Sequence, residues 1–160
     1  MKKTLLIPCL FSLMFISCSV SHPFAENQLA DFQHYGYVID QSGQRIDGLL
    51  ELNAYGNLWF NQSKIGFCPQ TEIDKAKGSG KSKVRSQWYK ASDLQGYGYG
   101  SKKFVTKKVR LGTGMQWRML EVLSVQQKTY KFYNSGESPS KPDRYSVLKE
   151  NANGELEQIR

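Results

Sequence analysis

Residues 35–53 read YGYVIDQSGQRIDGLLELN. Tyr35 to Ile39 is rich in residues that fit a pleated, half-buried surface. Ser42-Gly43 is a turn signal. Arg45 to Asn53 then alternates, with Ile46, Leu50 and Leu52 on one face and Asp47, Glu51 and Asn53 on the other. Strand side chains alternate with a period of two, so two such runs around a turn predict a β-hairpin.

The same punctuation continues toward the C-terminus. Tyr55-Gly56-Asn57 ends the second run, and Leu58-Trp59-Phe60 and Ile65-Gly66-Phe67-Cys68 continue the β-type reading up to Pro69. Thr71 to Arg85 (TEIDKAKGSGKSKVR) has few apolar residues and two glycines around Ser79, which predicts an exposed loop or hairpin tip. Gln87-Trp88-Tyr89 restarts the pattern, and Ser92-Asp93 reads as a turn or cap. Gly96 to Gly100 leads into Phe104-Val105, a strand that Lys107 to Arg110 extends before Gly112-Thr113-Gly114 turns it. Trp117 to Val125 (WRMLEVLSV) is apolar on both strand faces, as a doubly covered strand or a short helix would be. The β-rich Thr129 to Tyr133 close behind it favours the strand. A polar loop at Ser135 to Pro142 precedes a last pair, Tyr145 to Leu148 and Glu155 to Ile159, turning at Asn153-Gly154. The expectation is an all-β, antiparallel, barrel-like or sandwich domain of about eight to ten short strands with little helix, spanning residues 34–160. A chain of 160 residues has room for one such core, and it shows no internal repeat.

Residues 35–53 also carry a resemblance. Gly36-Tyr37 and Gly43-Gln44-Arg45-Ile46-Asp47-Gly48-Leu49-Leu50 resemble the GYxxxxxGDTIxGxI opening of β-rich secreted proteins and lipoproteins of Bacteroidota, with Gln44-Arg45 where Asp-Thr is usual. Ile65-Gly66-Phe67, Tyr89 to Tyr99 and Leu120 to Tyr133 are similar to later landmarks of that group. The resemblance covers about residues 35–150 and implies an all-β envelope protein; it transfers no catalytic residue.

The N-terminus predicts export. Met1-Lys2-Lys3 precedes an apolar run, Leu5 to Ile16, of the length of a secretory signal. The run is too short to span a bilayer, and Pro8 would break a buried helix there. Phe15-Ile16-Ser17-Cys18 resembles a bacterial lipobox, which makes residues 1–17 a lipoprotein-type signal peptide and Cys18 the lipidated residue. Cleavage after Ser19 or Ala25 is the competing reading, which would give a soluble periplasmic or secreted protein. Ser19 after the cysteine suits outer-membrane sorting, and Ser19 to His22 lack the acidic run of surface-displayed lipoproteins. The expected place is therefore the outer membrane, facing the periplasm, with polar residues 18–33 as a tether. Cys9 leaves with the signal and Cys18 carries lipid, so Cys68 has no intramolecular disulfide partner.

The chemical inventory is short. His22 and His34 are the two histidines, no Cys/His spacing matches a zinc site, and neither HExxH nor Gly-x-Ser-x-Gly occurs. Lys75 to Ser82 (KAKGSGKS) ends like a phosphate-binding loop, but Lys75 holds the leading Gly position and no strand–loop–helix pattern surrounds it. Gly96 to Gly100 fails the dinucleotide fingerprint because Ser101 takes the last position, and reads instead as a turn-rich β edge. Cys68 beside Phe67 reads as core. Asp47 and Glu51, two strand steps apart on one face, are an example of a carboxylate pair to weigh for glycosidase-type chemistry. No cofactor is implied.

Charge is the strongest functional signal. The chain has 22 Lys+Arg against 14 Asp+Glu, a net charge of +8. Basic residues cluster at Lys75, Lys77, Lys81, Lys83 and Arg85, and again at Lys102, Lys103, Lys107, Lys108 and Arg110. Set side by side, these runs would form a basic face for lipid headgroups, anionic glycan or an acidic envelope protein. Trp88, Tyr97, Tyr99 and Phe104 stand nearby for stacking. The bland account is that edge lysines block strand-to-strand aggregation. Export removes nucleic acid as a natural target. The reading is a non-catalytic, membrane-anchored binding or structural module with Lys81, Lys83, Arg85, Trp88, Tyr97, Tyr99, Lys102 and Lys103 as binding residues. A small carboxylate-based hydrolase and an inhibitor or immunity-type protein are the alternatives.

Overall fold

The computed structural model describes residues 21–52, 58–133 and 145–160. The signal segment, Cys18, the Tyr55-Gly56-Asn57 turn and the polar loop before Tyr145 lie outside the described residues. The elements are β1 (Ser21–Pro23), β2 (Gln33–Asp40), β3 (Arg45–Glu51), α1 (Leu58–Asn61), β4 (Lys64–Pro69), α2 (Gln70–Gly78), β5 (Lys83–Arg85), β6 (Gln87–Lys90), β7 (Leu94–Tyr99), β8 (Lys102–Leu111), β9 (Gly114–Ser124), β10 (Thr129–Tyr133), β11 (Tyr145–Glu150) and β12 (Leu156–Gln158). Short 3-10 turns cover Glu26–Gln28 and Ala91–Asp93. Ten strands form one antiparallel sheet in the order β12-β11-β10-β9-β8-β7-β2-β3-β4-β6, and β1 pairs with β5 in a second, two-stranded sheet.

The hairpin expected from residues 35–53 is β2–β3, in register from Gln33 opposite Glu51 to Ile39 opposite Arg45. Asp40 sets its turn: one carboxylate oxygen accepts from the Ser42 and Gln44 amides, both at 2.9 Å, and Gly43 takes φ +85°. A left-handed residue of this kind favours glycine.

The sheet buries apolar residues on both faces. On the first face, Val38, Leu50, Phe67, Tyr97, Phe104 and Met119 pack across β2, β3, β4, β7, β8 and β9. On the second face there are two separate cores. Leu49 and Cys68 pack under Phe24, Ile73, Ala76 and Val84, so β1, α2 and β5 cover β3 and β4. At the other end Val109, Leu120, Tyr130, Phe132 and Leu148 pack among β8–β11. This answers the ambiguity at 117–125. That segment is strand β9 through Ser124, with Met119 and Leu120 both at 0% exposure because they feed opposite cores.

The ladder is open, with β6 and β12 at its edges. The Gln62 side chain spans part of the opening: its amide nitrogen donates to the Tyr133 carbonyl at 2.7 Å and its oxygen accepts from the Tyr133 amide at 3.0 Å. The Met119 amide also donates to the Gln62 carbonyl, at 2.8 Å. The segment before β4 thus meets β9 and β10 through side-chain and loop bonds instead of a strand pair.

Four expectations are corrected. Residues 58–61, read as β-type, form the single turn α1, closed where the Ser63 amide and hydroxyl both donate to the Phe60 carbonyl. Residues 71–78, within the stretch read as loop, belong to helix α2. Two buried residues, Ile73 and Ala76, anchor it, Glu72 lies in its first turn and Lys75 and Lys77 in its last, as the helix dipole favours. Residues 21–33, read as tether, dock on the domain through β1 and the buried Phe24, whose carbonyl accepts a bond from the Tyr35 hydroxyl. Gly96 to Gly100, read as a β edge, lies mostly in β7, an interior strand between β2 and β8.

Candidate functional site

A row of unneutralised positive charge lies in a groove between α2 and β5. Extended backbone at 83–85 alternates, so Val84 turns into the core while Lys83 and Arg85 are exposed. Lys81 precedes them at the same spacing of two and lines the same groove. Along the helix, Glu72, Lys75, Ala76 and Ser79 form the other wall, and Cys68 and Val84 lie at the base. The groove encloses about 610 Å³ and carries four cationic side chains against one carboxylate.

That carboxylate is already engaged, since Glu72 pairs with Lys75 at 2.7 Å. Among the described residues no ion pair involves Lys81, Lys83 or Arg85. The lysines are not required as helix caps either. The α2 carbonyls of Lys75, Ala76 and Lys77 accept from the amides of Ser79, Gly80 and Lys81 at 2.9–3.2 Å. The row is therefore surplus positive charge at the surface.

Cys68 at the base is 1% exposed. Burial, reinforced by the Glu72 carboxylate, pushes its thiol pKa above the ordinary value. A raised pKa leaves little thiolate at neutral pH, so this cysteine is packing rather than nucleophile.

A second cluster gathers Tyr97, Tyr99 and Lys102 with Asn61, Gln62, Phe104, Glu121 and Tyr133 around a void of about 10 Å³. The rings of Tyr97 and Phe104 stack at 4.3 Å, and His34 stacks on Tyr99 at 4.4 Å. The Tyr133 hydroxyl donates to Glu121 at 2.9 Å; burial and that bond raise its pKa. Burial, then the charge of Lys102, lowers the His34 pKa against a smaller opposing effect of Asp31. The void has room for about one water molecule. Tyr97, at 1% exposure, belongs to the core and cannot stack on a ligand.

The other residues singled out in the sequence are dispersed. Trp88 on β6 lies edge-on to Phe60 at 6.3 Å, with the Lys64 ammonium 5.4 Å from its ring, outside the residues that line the groove. Lys103 is exposed opposite Gly98. The two basic runs lie on different sheets, β5 pairing with β1 while β8 lies between β7 and β9 in the large sheet, and no residue of the second run lines the groove. Asp47 binds Arg45 at the surface at 2.7 Å, and Glu51 is buried four residues along the same strand, roughly 13 Å away. Leu49 separates them on that face, so they do not converge as a catalytic pair. In Lys75 to Ser82 the glycines stand at the end of a helix and just after it, the reverse of a phosphate loop, which needs a helix N-terminus after them. No group of three metal-ligating side chains exists among the described residues, and no described helix is long and apolar enough to cross a membrane.

Glu121 and Tyr133 were not legible as partners, since 12 residues and a turn separate them; only pairing of β9 with β10 brings them together. No family model, curated protein or solved structure matches the chain.

Proposed function

We propose that the chain is a non-catalytic binding module, held at the cell envelope through Cys18, that takes an anionic ligand in the groove between α2 and β5. The observation that supports this reading is the row Lys81, Lys83 and Arg85 beside Lys75, around a groove of about 610 Å³. Phosphate, sulfate or carboxylate groups spaced along a polymer or a surface meet such a row without needing a deep pocket. The export signal and the resemblance to secreted proteins and lipoproteins point to the same compartment.

The test is titration of the protein with dextran sulfate at low and high salt. The expected result is salt-sensitive binding that the triple variant K81E/K83E/R85E weakens about tenfold or more, while K102E/K103E changes it little. Equal binding by the triple variant and the native chain would overturn the reading.

A further inference from the structure

We infer that the ligand of the α2–β5 groove is the anionic headgroup layer of the membrane in which the chain's own N-terminus is anchored. This rests on the groove as an anion site and on Cys18 as the acylated residue. As a free tether, residues 18–33 would let the domain range over roughly 50 Å, with no preferred face toward the bilayer. The structure shortens that freedom. Ser21, His22 and Pro23 pair with Arg85, Val84 and Lys83, and Phe24 is buried against the same core as Ile73 and Val84.

Only Ser19 and Val20 then separate Cys18 from the ladder, a reach of about 10 Å. The strand partner of Ser21, the ladder residue nearest the anchor, is Arg85. Lys83 follows about 7 Å farther along β5, and Lys81, two residues before that strand, lies at most about 14 Å from Arg85. An acyl chain inserted at Cys18 would therefore keep the whole row within about 25 Å of the headgroups at full extension, and the row comes within one Debye length when the domain lies down on the surface. Each Lys or Arg brought within a Debye length of the surface is attracted to an anionic leaflet. The short connection also supplies a high effective concentration, so individually weak contacts suffice to fill the groove. Glycan strands or soluble proteins farther from the bilayer have no such advantage.

The experiment uses the membrane-purified protein reconstituted in vesicles of phosphatidylcholine alone or with phosphatidylglycerol. Surface lysines are labelled briefly with a water-soluble amine reagent and the modified sites are read by mass spectrometry. In phosphatidylglycerol vesicles, Lys81 and Lys83 should be modified about fivefold or more slowly than in phosphatidylcholine. Lys102 and Lys108, which lie on the large sheet, should react equally in both, and high salt should abolish the difference. Equal reactivity of Lys81 and Lys83 in the two vesicles overturns the inference. If dextran sulfate still protects them in that case, the groove remains an anion site and only its assignment to the membrane falls; if it does not, both fall. Purified protein with an unacylated Cys18 overturns the membrane assignment as well.

Discussion

Gly48 shows how tightly single positions are specified. A Cβ added there would collide with the Cys68 carbonyl oxygen and would lie 2.9 Å from two Phe67 ring carbons, so backbone on the neighbouring strand would have to move. Gly48→Ala should cost about 1–3 kcal/mol in chemical denaturation, as overpacking of a filled interior does. Cys68, buried with a raised pKa, should resist a thiol reagent at neutral pH in the folded chain and react fully once unfolded. Glu150 offers a pH signature. The Lys107 ammonium at 2.9 Å, with the Tyr130 hydroxyl, holds its carboxyl below the ordinary value despite burial. A depressed folded pKa gives stability that is present above the unfolded pKa and lost as pH falls through the folded one. Glu150→Gln should therefore flatten the acid limb of stability below about pH 5. Tyr130 works in the opposite direction. Burial and the Glu150 bond push its pKa up to about 12, so its contribution is complete below about pH 10 and lost as pH rises through about 12. At this scale the sequence shows residue type but not depth: Tyr97 and Tyr99 look alike in a Gly-Tyr repeat, yet one is core and the other half-buried.

Among the elements, strands declared themselves and the helix did not. The β2–β3 hairpin follows from alternation because the inward positions of Arg45 to Asn53 are apolar or glycine, and Leu50 and Leu52 do occupy the first-face core. Helix α2 escapes a pattern search because only Ile73 and Ala76 are buried, and the rest of its surface is as polar as a loop. The legible traces were the apolar pair three residues apart and the Glu72–Lys75 pairing, each too weak alone to separate helix from loop. The role of α2 is to cover Leu49 and Cys68 and to form one wall of the groove. Ile73→Ala should destabilise by about 2–5 kcal/mol and expose residues 21–33 to protease before the large sheet unfolds. Equal protease resistance of variant and native chain in that segment would contradict the docking of β1 and Phe24.

For the whole molecule, the all-β class, the antiparallel connectivity and the strand density were readable, because short runs between turns dictate neighbouring strands. The arrangement of cores was not. Two-sided burial of Met119 and Leu120 reflects a long sheet whose first-face core reaches β9, where the second of the two opposite-face cores also begins. Nor could a sequence show that Gln62, distant from β10, binds both backbone groups of Tyr133. The groove was half legible. Lys81, Lys83 and Arg85 stand two residues apart in the sequence, the spacing of one strand face, whereas the helical wall opposite them exists only once the chain has folded. Anion binding in this groove is the proposition on which the function rests. Amide chemical shifts recorded during titration with hexametaphosphate decide it. Salt-sensitive shifts centred on residues 79–85 and the last turn of α2 are expected; shifts centred on Tyr99 to Lys103 instead, or none at all, would refute it.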